Sequence, residues 1–263
     1  MTDVQASQAP AAPVFVEGFC RPEARKYVLI AAILASAMGF IDGFIISLAL
    51  PAMRQSLDAT LIEAQWFHNA YMLTLSALIL VGGAVGDRFG LARAFSAGIA
   101  AFVAASLLCA IAPDPTFMIA ARALQGVGAA LMIPGSLAII TRAYPREERG
   151  WAIGFWAAAS SVTTALGPVV GGLALTLGGP EAWRWVFAIN LPLGAVTIWI
   201  IWAKVGADPV RGGARLDWPG ALLATLGLFA LAWGADDGRS WRGLGHRPVA
   251  IGSAGADLPF HLG

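Results

Sequence analysis

Two full charges of opposite sign stand inside long apolar stretches of this sequence. Arg122 lies in FMIAARALQGVGAALMIPGSLAII, residues 117–140, with Gln125 one turn later. Asp42 lies in GFIDGFIISLALP, residues 39–51. A hydrocarbon core of about 30 Å takes roughly 20 helical residues to cross. An ionised side chain in such a run is costly and marks a cavity, a pathway or an ion partner. The plainer alternative is an Arg122 that snorkels to an interface. At 1.5 Å per residue, Asp42 is expected about 13 Å below Pro51, which should end its run, and Arg122 about 12 Å beyond Asp114. Matched depth predicts that the two charges face an interior and pair, directly or through other polar groups. Desolvation raises a buried carboxylate's pKa and a cation lowers it, so a partner that moves can load and unload a proton. A static pair that only fixes packing is the competing reading.

Three further stretches carry spacing with a physical reason. GGAVGDRFGLAR, residues 82–93, reads as a short turn between two apolar runs. Its glycines, Gly83 and Gly90 among them, permit a tight turn and close approach. Asp87 can face the start of the next helix, where negative charge is favoured, and Arg88 and Arg93 anchor the turn. An ordinary charged turn is the bland reading. No strand precedes it and no GK[ST] follows, so it is not a phosphate cradle. ALGPVVGGLAL, residues 165–175, sets Gly167 and Gly171 in GxxxG spacing with Pro168 between and Gly172 beside them. Proline bends the span and the small residues admit a neighbouring helix, which suits a hinge, a seal or close packing without motion. Ser160, Ser161, Thr163 and Thr164 line a polar seam or bond back to their own backbone. In WRWVFAINLP, residues 183–192, Asn190 needs a partner and Pro192 is expected to kink the helix. Gly126, Gly128, Ala129 and Ala130 are expected to keep one side of their helix thin.

These residues must be positioned by helices in a bilayer. The chain is 58% hydrophobic and 13% charged, against about 25% charged in an ordinary soluble domain. A net charge of +1 gives no nucleic-acid signature. Apolar runs occupy 27–50, 65–85, 93–112, 116–140, 150–177, 185–205 and 218–233, with short connections, which predicts antiparallel neighbours. Residues 1–26 read as a disordered tail, cytoplasmic if the N-terminus is inside. Residues 207–238 read as an inner loop and seventh helix, and 239–263 as an irregular tail too interrupted to cross a bilayer. With the N-terminus inside, Arg21, Arg25, Lys26, Arg88, Arg93, Arg142, Arg146, Arg149, Lys204, Arg211 and Arg215 are all cytoplasmic, and before the final tail only Arg54 and Arg184 lie outside. Trp66, Trp151, Trp183, Trp185, Trp218 and Trp233 fall near span ends, as an aromatic belt would. Cys20 and Cys109 make no disulfide framework. His68, His246 and His261 are scattered without metal-ligand spacing, and no metal or cofactor is expected.

Together these pieces resemble the major facilitator superfamily, and within it the fourteen-helix drug–proton antiporter branch. The likeness runs from about Tyr27 to Gly238 and covers only the first half of such a transporter. GGAVGDRFGLAR is similar to the signature between helices two and three. RALQGVGAALMIPGSLAII is similar to the fourth-helix motif, with Arg122, Gln125 and Gly126 in place, and LGPVVGG to the antiporter motif of helix five. FIDGFIISLALP and WRWVFAINLP are similar to motifs of the fourteen-helix branch. The resemblance implies an all-α, polytopic membrane bundle: a six-helix N-terminal half over 27–206, made of two inverted three-helix repeats, plus a seventh helix. It implies efflux of drugs or other amphipathic molecules in exchange for protons across the cell inner membrane. Asp42, Arg122 and Gln125 would couple protons. Gly83, Asp87, Arg88, Gly90 and Arg93 would form an inner gate, and Gly167, Pro168, Gly171 and Gly172 the antiport helix. Leu91 and Ala92 stand where basic residues are usual, and Ser47 where Asn is common.

The resemblance leaves two readings: a proton-coupled exporter as a truncated chain, or a non-transporting remnant or scaffold that needs a complementary half or a second copy. A membrane-embedded enzyme would need several catalytic side chains at one depth, and the sequence offers isolated polar residues.

Overall fold

Helix α4, Pro115–Ala143, forms because its first turn is fully provisioned. The Asp114 side chain accepts from the Phe117 N–H at 2.8 Å, and Pro115 takes a first-turn position where its missing N–H costs nothing. Around it lie α1 (Arg25–Ser56), α2 (Leu61–Phe89), α3 (Leu91–Ala110), α5 (Arg146–Gly178), α6 (Trp183–Ala188) and α7 (Asn190–Ile200). This computed structural model describes residues 19–179 and 181–205, together with the helical positions Gly220, Leu223, Leu226, Gly227 and Ala230. Among the described residues six segments are long and apolar enough to cross a membrane, and there is no strand. The expected seventh span lies outside the described residues apart from those five positions. So do residues 1–18 of the N-terminal tail and all of 239–263.

Three boundaries differ from the sequence expectations, and the kink expected at Pro192 is present. The helical backbone starts before Tyr27, in a short 3-10 turn at Pro22–Ala24 that runs into α1. Pro51 does not end the first run, and α1 continues through it to Ser56. A proline costs one backbone hydrogen bond, which packing neighbours in a membrane bundle can offset. The connection between α2 and α3 is the single residue Gly90, at φ +95°, a conformation that favours glycine. Finally, the sixth span is broken. Helix α6 ends at Ala188 and α7 begins at Asn190, because the Pro192 ring clashes with the carbonyl four residues earlier. A π-helical turn, Ile201–Val205, closes the span.

Glycines set how α4 sits. A Cβ on Gly126 would stand 2.6 Å from the Tyr71 carbonyl oxygen of α2. A Cβ on Gly128 would enter the Phe102 backbone of α3, and one on Gly135 would stand 2.9 Å from the Phe95 ring. At about 100° per residue, positions 126 and 128 face nearly opposite ways. The small residues therefore thin two sides of α4, not one, and α4 is sandwiched between α2 and α3. Helix α5 packs chiefly on α1 and leaves Val162, Leu166, Val169 and Leu173 exposed.

Candidate functional site

The buried apolar residues fall into two clusters stacked along the bundle. One, toward the N-terminal end of α1, contains Met38, Tyr71, Phe102 and Met132. The other, toward the far end, contains Ile46, Phe67, Cys109, Met118 and Phe187. Four helices leave buried polar side chains in the gap between the clusters. On α1 this is Asp42, on α3 Ser106, on α4 Arg122 and Gln125, and on α7 Asn190, all buried.

These five form one network. Arg122 Nη1 donates to Asp42 Oδ2 at 2.6 Å, in an ion pair whose side chains are 0% and 1% exposed. The same nitrogen donates to Gln125 Oε1, and Arg122 Nε donates to the Phe67 carbonyl at 2.8 Å. Gln125 Nε2 donates to Asp42 Oδ1 at 3.0 Å and to Ser106 Oγ at 2.8 Å, and Asn190 Nδ2 reaches Ser106 Oγ at 3.2 Å. The guanidinium also lies 4.3 Å from the centroid of the Tyr71 ring and 5.8 Å from that of Phe187. A buried charge is tolerable only when its partners replace water. Arg122 has a carboxylate, two carbonyl-type acceptors and two aromatic faces, which leaves the Nη2 nitrogen without a partner. The charges expected to pair do so, and Arg122 does not snorkel. Ser106 and Tyr71 are members that the sequence reading missed, since a serine or tyrosine in an apolar helix carries no spacing signal.

Beside this layer lies a cavity of about 230 Å³, lined by Ser36, Phe40, Tyr71, Met72, Ile133 and Trp156, among others. Its polar groups are tied up. Trp156 Nε1 donates to Ser36 Oγ at 2.9 Å, Ser36 Oγ to Ser136 Oγ at 3.2 Å, and Ser136 Oγ to the Ile133 carbonyl at 2.7 Å. A more open hollow continues past Phe40 and Trp156 along Ser160, Ser161 and Thr164. Ser161 and Thr163 bond back to the carbonyls of Ala157 and Ala159, while Ser160 Oγ is buried without a partner. Tyr71 belongs to both sites: its ring lines the cavity and carries Arg122 against it.

The remaining predicted residues stand apart from this layer. Asp87 and Arg88 lie on the last turn of α2, not in a loop. Asp87 Oδ1 accepts from Arg142 Nη2 of α4 at 3.0 Å, so its observed partner is the end of α4 and not the start of α3. Arg88 lies over the Phe89 ring, and Arg93 is exposed. Gly83 is exposed with open space around it; its neighbour Gly82 is the one pressed against the Ala130 carbonyl. On α5, Gly167 and Gly171 are buried, Pro168 is exposed, and a Cβ on Gly172 would meet Leu48 of α1 at 3.7 Å. At the far end Ser56 Oγ and Arg184 Nε each donate to Glu181 at 2.6 Å. The Ser56 bond first, then the Arg184 bond, hold that carboxyl below the usual glutamate range. Arg184 Nη1 also caps the end of α3 through the Ala110 and Ala112 carbonyls, each at 2.9 Å. Trp183 is fully buried in the far cluster, whereas Trp185 is 73% exposed.

Against known proteins, the sequence profile described as Major Facilitator Superfamily matches residues 32–256. The methylenomycin A resistance protein of Bacillus subtilis is 36% identical over 218 residues, covering 82% of this chain and 46% of that protein. The probable actinorhodin transporter of Streptomyces coelicolor is 38% identical over 223 residues, with 83% and 38% covered. The puromycin resistance protein of Streptomyces alboniger is 38% identical over 215 residues, with 81% and 42% covered. The chain thus spans less than half the length of these relatives. Among solved structures, the peptide transporter POT with bound sulfate superposes with a TM-score of 0.63 at 15% identity, covering 82% of this chain and 45% of that one, a likeness of fold.

Proposed function

The chain belongs to the Major Facilitator Superfamily, and on that premise we propose that it forms the N-terminal half of a proton-coupled exporter of amphipathic small molecules. The observation that carries this reading is the double duty of Tyr71. One ring lines the apolar cavity and holds the guanidinium of the buried ion pair. A ligand that presses on Tyr71 therefore bears on Arg122, and a change at Arg122 alters the cavity wall. Protonation of Asp42 removes the ion pair, which is the strongest link between α1 and α4 in the polar layer. Ligand and proton then compete through one element, as antiport requires.

The cavity's side chains point to the substrate class. They are aromatic and aliphatic, with the Ser36 hydroxyl already bonded to Ser136 and no ionised group. An uncharged, flat, apolar-bodied molecule fits such a lining. The drug-resistance relatives support export. The cavity lies below the usual 300–1,000 Å³ of ligand pockets, and α2 and α5 leave large apolar side chains exposed. We infer that a complementary half, or a second copy, covers those faces and completes it. The basic residues at the N-terminal end support a cytoplasmic N-terminus in the cell inner membrane.

The test is reconstitution in vesicles with a complementary half and an imposed pH gradient. Gradient-driven movement of an uncharged dye is expected, with Asp42→Asn abolishing the drive. Dye movement equally fast without a gradient, or undiminished in Asp42→Asn, refutes proton coupling.

A further inference from the structure

We propose that the polar cavity between α1 and α2 is the water route to the Asp42–Arg122 pair, and that His68 hands the proton on. The proposal rests on the proton-coupled reading above. It begins from a second cavity, of about 500 Å³, lined by Ile46, Ser47, Leu50, Gln65, His68 and Asn69. Four of those six residues are polar, in contrast to the apolar cavity beside Tyr71. It opens on the far side of the polar layer, toward the ends of α1 and α2 that the basic-residue count places outside.

Three features suit it to water and protons. Pro51 lies within α1 and has no N–H, so the Ser47 carbonyl lacks its usual helical donor beside this cavity. In hydrocarbon such an acceptor is costly unless water or a side chain fills it. The Nδ1 atom of His68 is buried and has no hydrogen-bond partner in the protein. His68 also directly follows Phe67, whose carbonyl accepts from Arg122 Nε. The charged groups in electrostatic reach of the imidazole are Arg122 of α4 and Asp42 of α1. Arg93, the one charge on α3, stands at the opposite end of that helix.

The transfer balances without a co-reactant. A proton from cavity water bonds to Nε2, the imidazole nitrogen that the protein does not enclose. The N–H on the buried Nδ1 then breaks, and its proton passes inward to an Asp42 carboxylate oxygen. The imidazole is left neutral with its tautomer reversed, and exchange with water resets it. Asp42 becomes a neutral acid and releases its ion pair with Arg122. Histidine suits this role because its ordinary pKa lies near neutrality.

The chain has three histidines, so isotope-labelled imidazole resonances in lipid nanodiscs are assignable, with His68→Gln identifying the one lost. The His68 signal is expected to titrate, with its midpoint moved in Asp42→Asn, where a nearby negative charge is gone. A His68 signal indifferent to both pH and Asp42→Asn overturns the proposal. Should Asp42→Asn fail to fold, diethyl pyrocarbonate added outside sealed vesicles gives an independent answer. Acylation of His68, faster as pH rises and the imidazole becomes neutral, is expected; no acylation at any pH overturns the route. In vesicles with the complementary half, His68→Gln is expected to slow proton-driven export about a hundredfold and flatten its pH profile, while dye binding persists. An unchanged pH profile in His68→Gln, with Asp42→Asn still abolishing the drive, removes His68 from the path but leaves the exporter reading intact. Indifference of export to Asp42→Asn defeats the exporter reading itself.

Discussion

Arg122 and Asp42 are worth more to each other than either is to the bundle. Removing one partner of a fully buried pair leaves an uncompensated charge, at a cost of about 3–5 kcal/mol. Asp42→Asn and Arg122→Gln are each expected to lower thermal stability in detergent by that order. The double variant is expected to lose less than the sum, because no lone charge remains. Additive losses would show that the pair is not energetically coupled. The pair was legible in the sequence because a charge in an apolar run stands out, and helical rise sufficed to match their depth. Its supporting residues were not. Ser106, Tyr71 and Trp156 act through hydroxyl, ring face and indole N–H, and such groups occur throughout apolar helices without marking a partner. His68 has no metal-ligand spacing in the sequence, and its nearness to charges on α1 and α4 is something no local pattern reveals.

At the level of the helix, small residues decide which surfaces meet. Gly82 abuts the Ala130 carbonyl, whereas Gly83 faces open space. Gly82→Ala is expected to force α2 from α4 and lower stability by about 1–3 kcal/mol, as overpacking does. Gly83→Ala is expected to be neutral, or stabilising by about 0.5–1 kcal/mol, because it only removes backbone freedom. Equal thermal midpoints for the two variants would contradict this assignment of the α2–α4 contact. The sequence shows both glycines but not their azimuth, so the reading favoured Gly83. It located the helices well, because apolar length is a strong signal in a membrane chain. Pro51 stays inside α1 because proline's soluble-protein role as a helix stop weakens in a bundle, whereas the kink expected at Pro192 is present.

For the molecule as a whole, the two ends are held differently. At the N-terminal end, ion pairs link Arg25 to Glu148 at 3.3 Å and Asp87 to Arg142 at 3.0 Å. At the far end, Glu181 takes donors from Ser56 and Arg184 and ties α1 to the start of α6. Its carboxyl sits below the ordinary glutamate range, so its contribution is full above that range and fades as pH falls through the depressed folded value. At 58% side-chain exposure the contribution is small. Spin labels at the exposed Gln55 and Trp185 are expected to report a narrow distance distribution at neutral pH that broadens in acid. In Glu181→Gln the distribution is expected to be broad at both; a distribution indifferent to pH and to Glu181→Gln would discount the clip. The all-helical architecture could be read from the six long apolar runs now seen as spans. The stacking of two apolar clusters around a polar layer could not, because it exists only once several helices are aligned.

Proline inside a span has a mechanical meaning here. Pro134 and Pro168 supply no donor to the carbonyls of Ala130 and Thr164. The first of these oxygens abuts Gly82, and Thr164 borders the open hollow next to Trp156. At both heights the rod is already unlatched, so flexing there ruptures no existing backbone link. Compliance is thus placed at fixed joints, one on α4 under the α2 contact and one on α5 along the uncovered flank, as it is at Pro51 of α1.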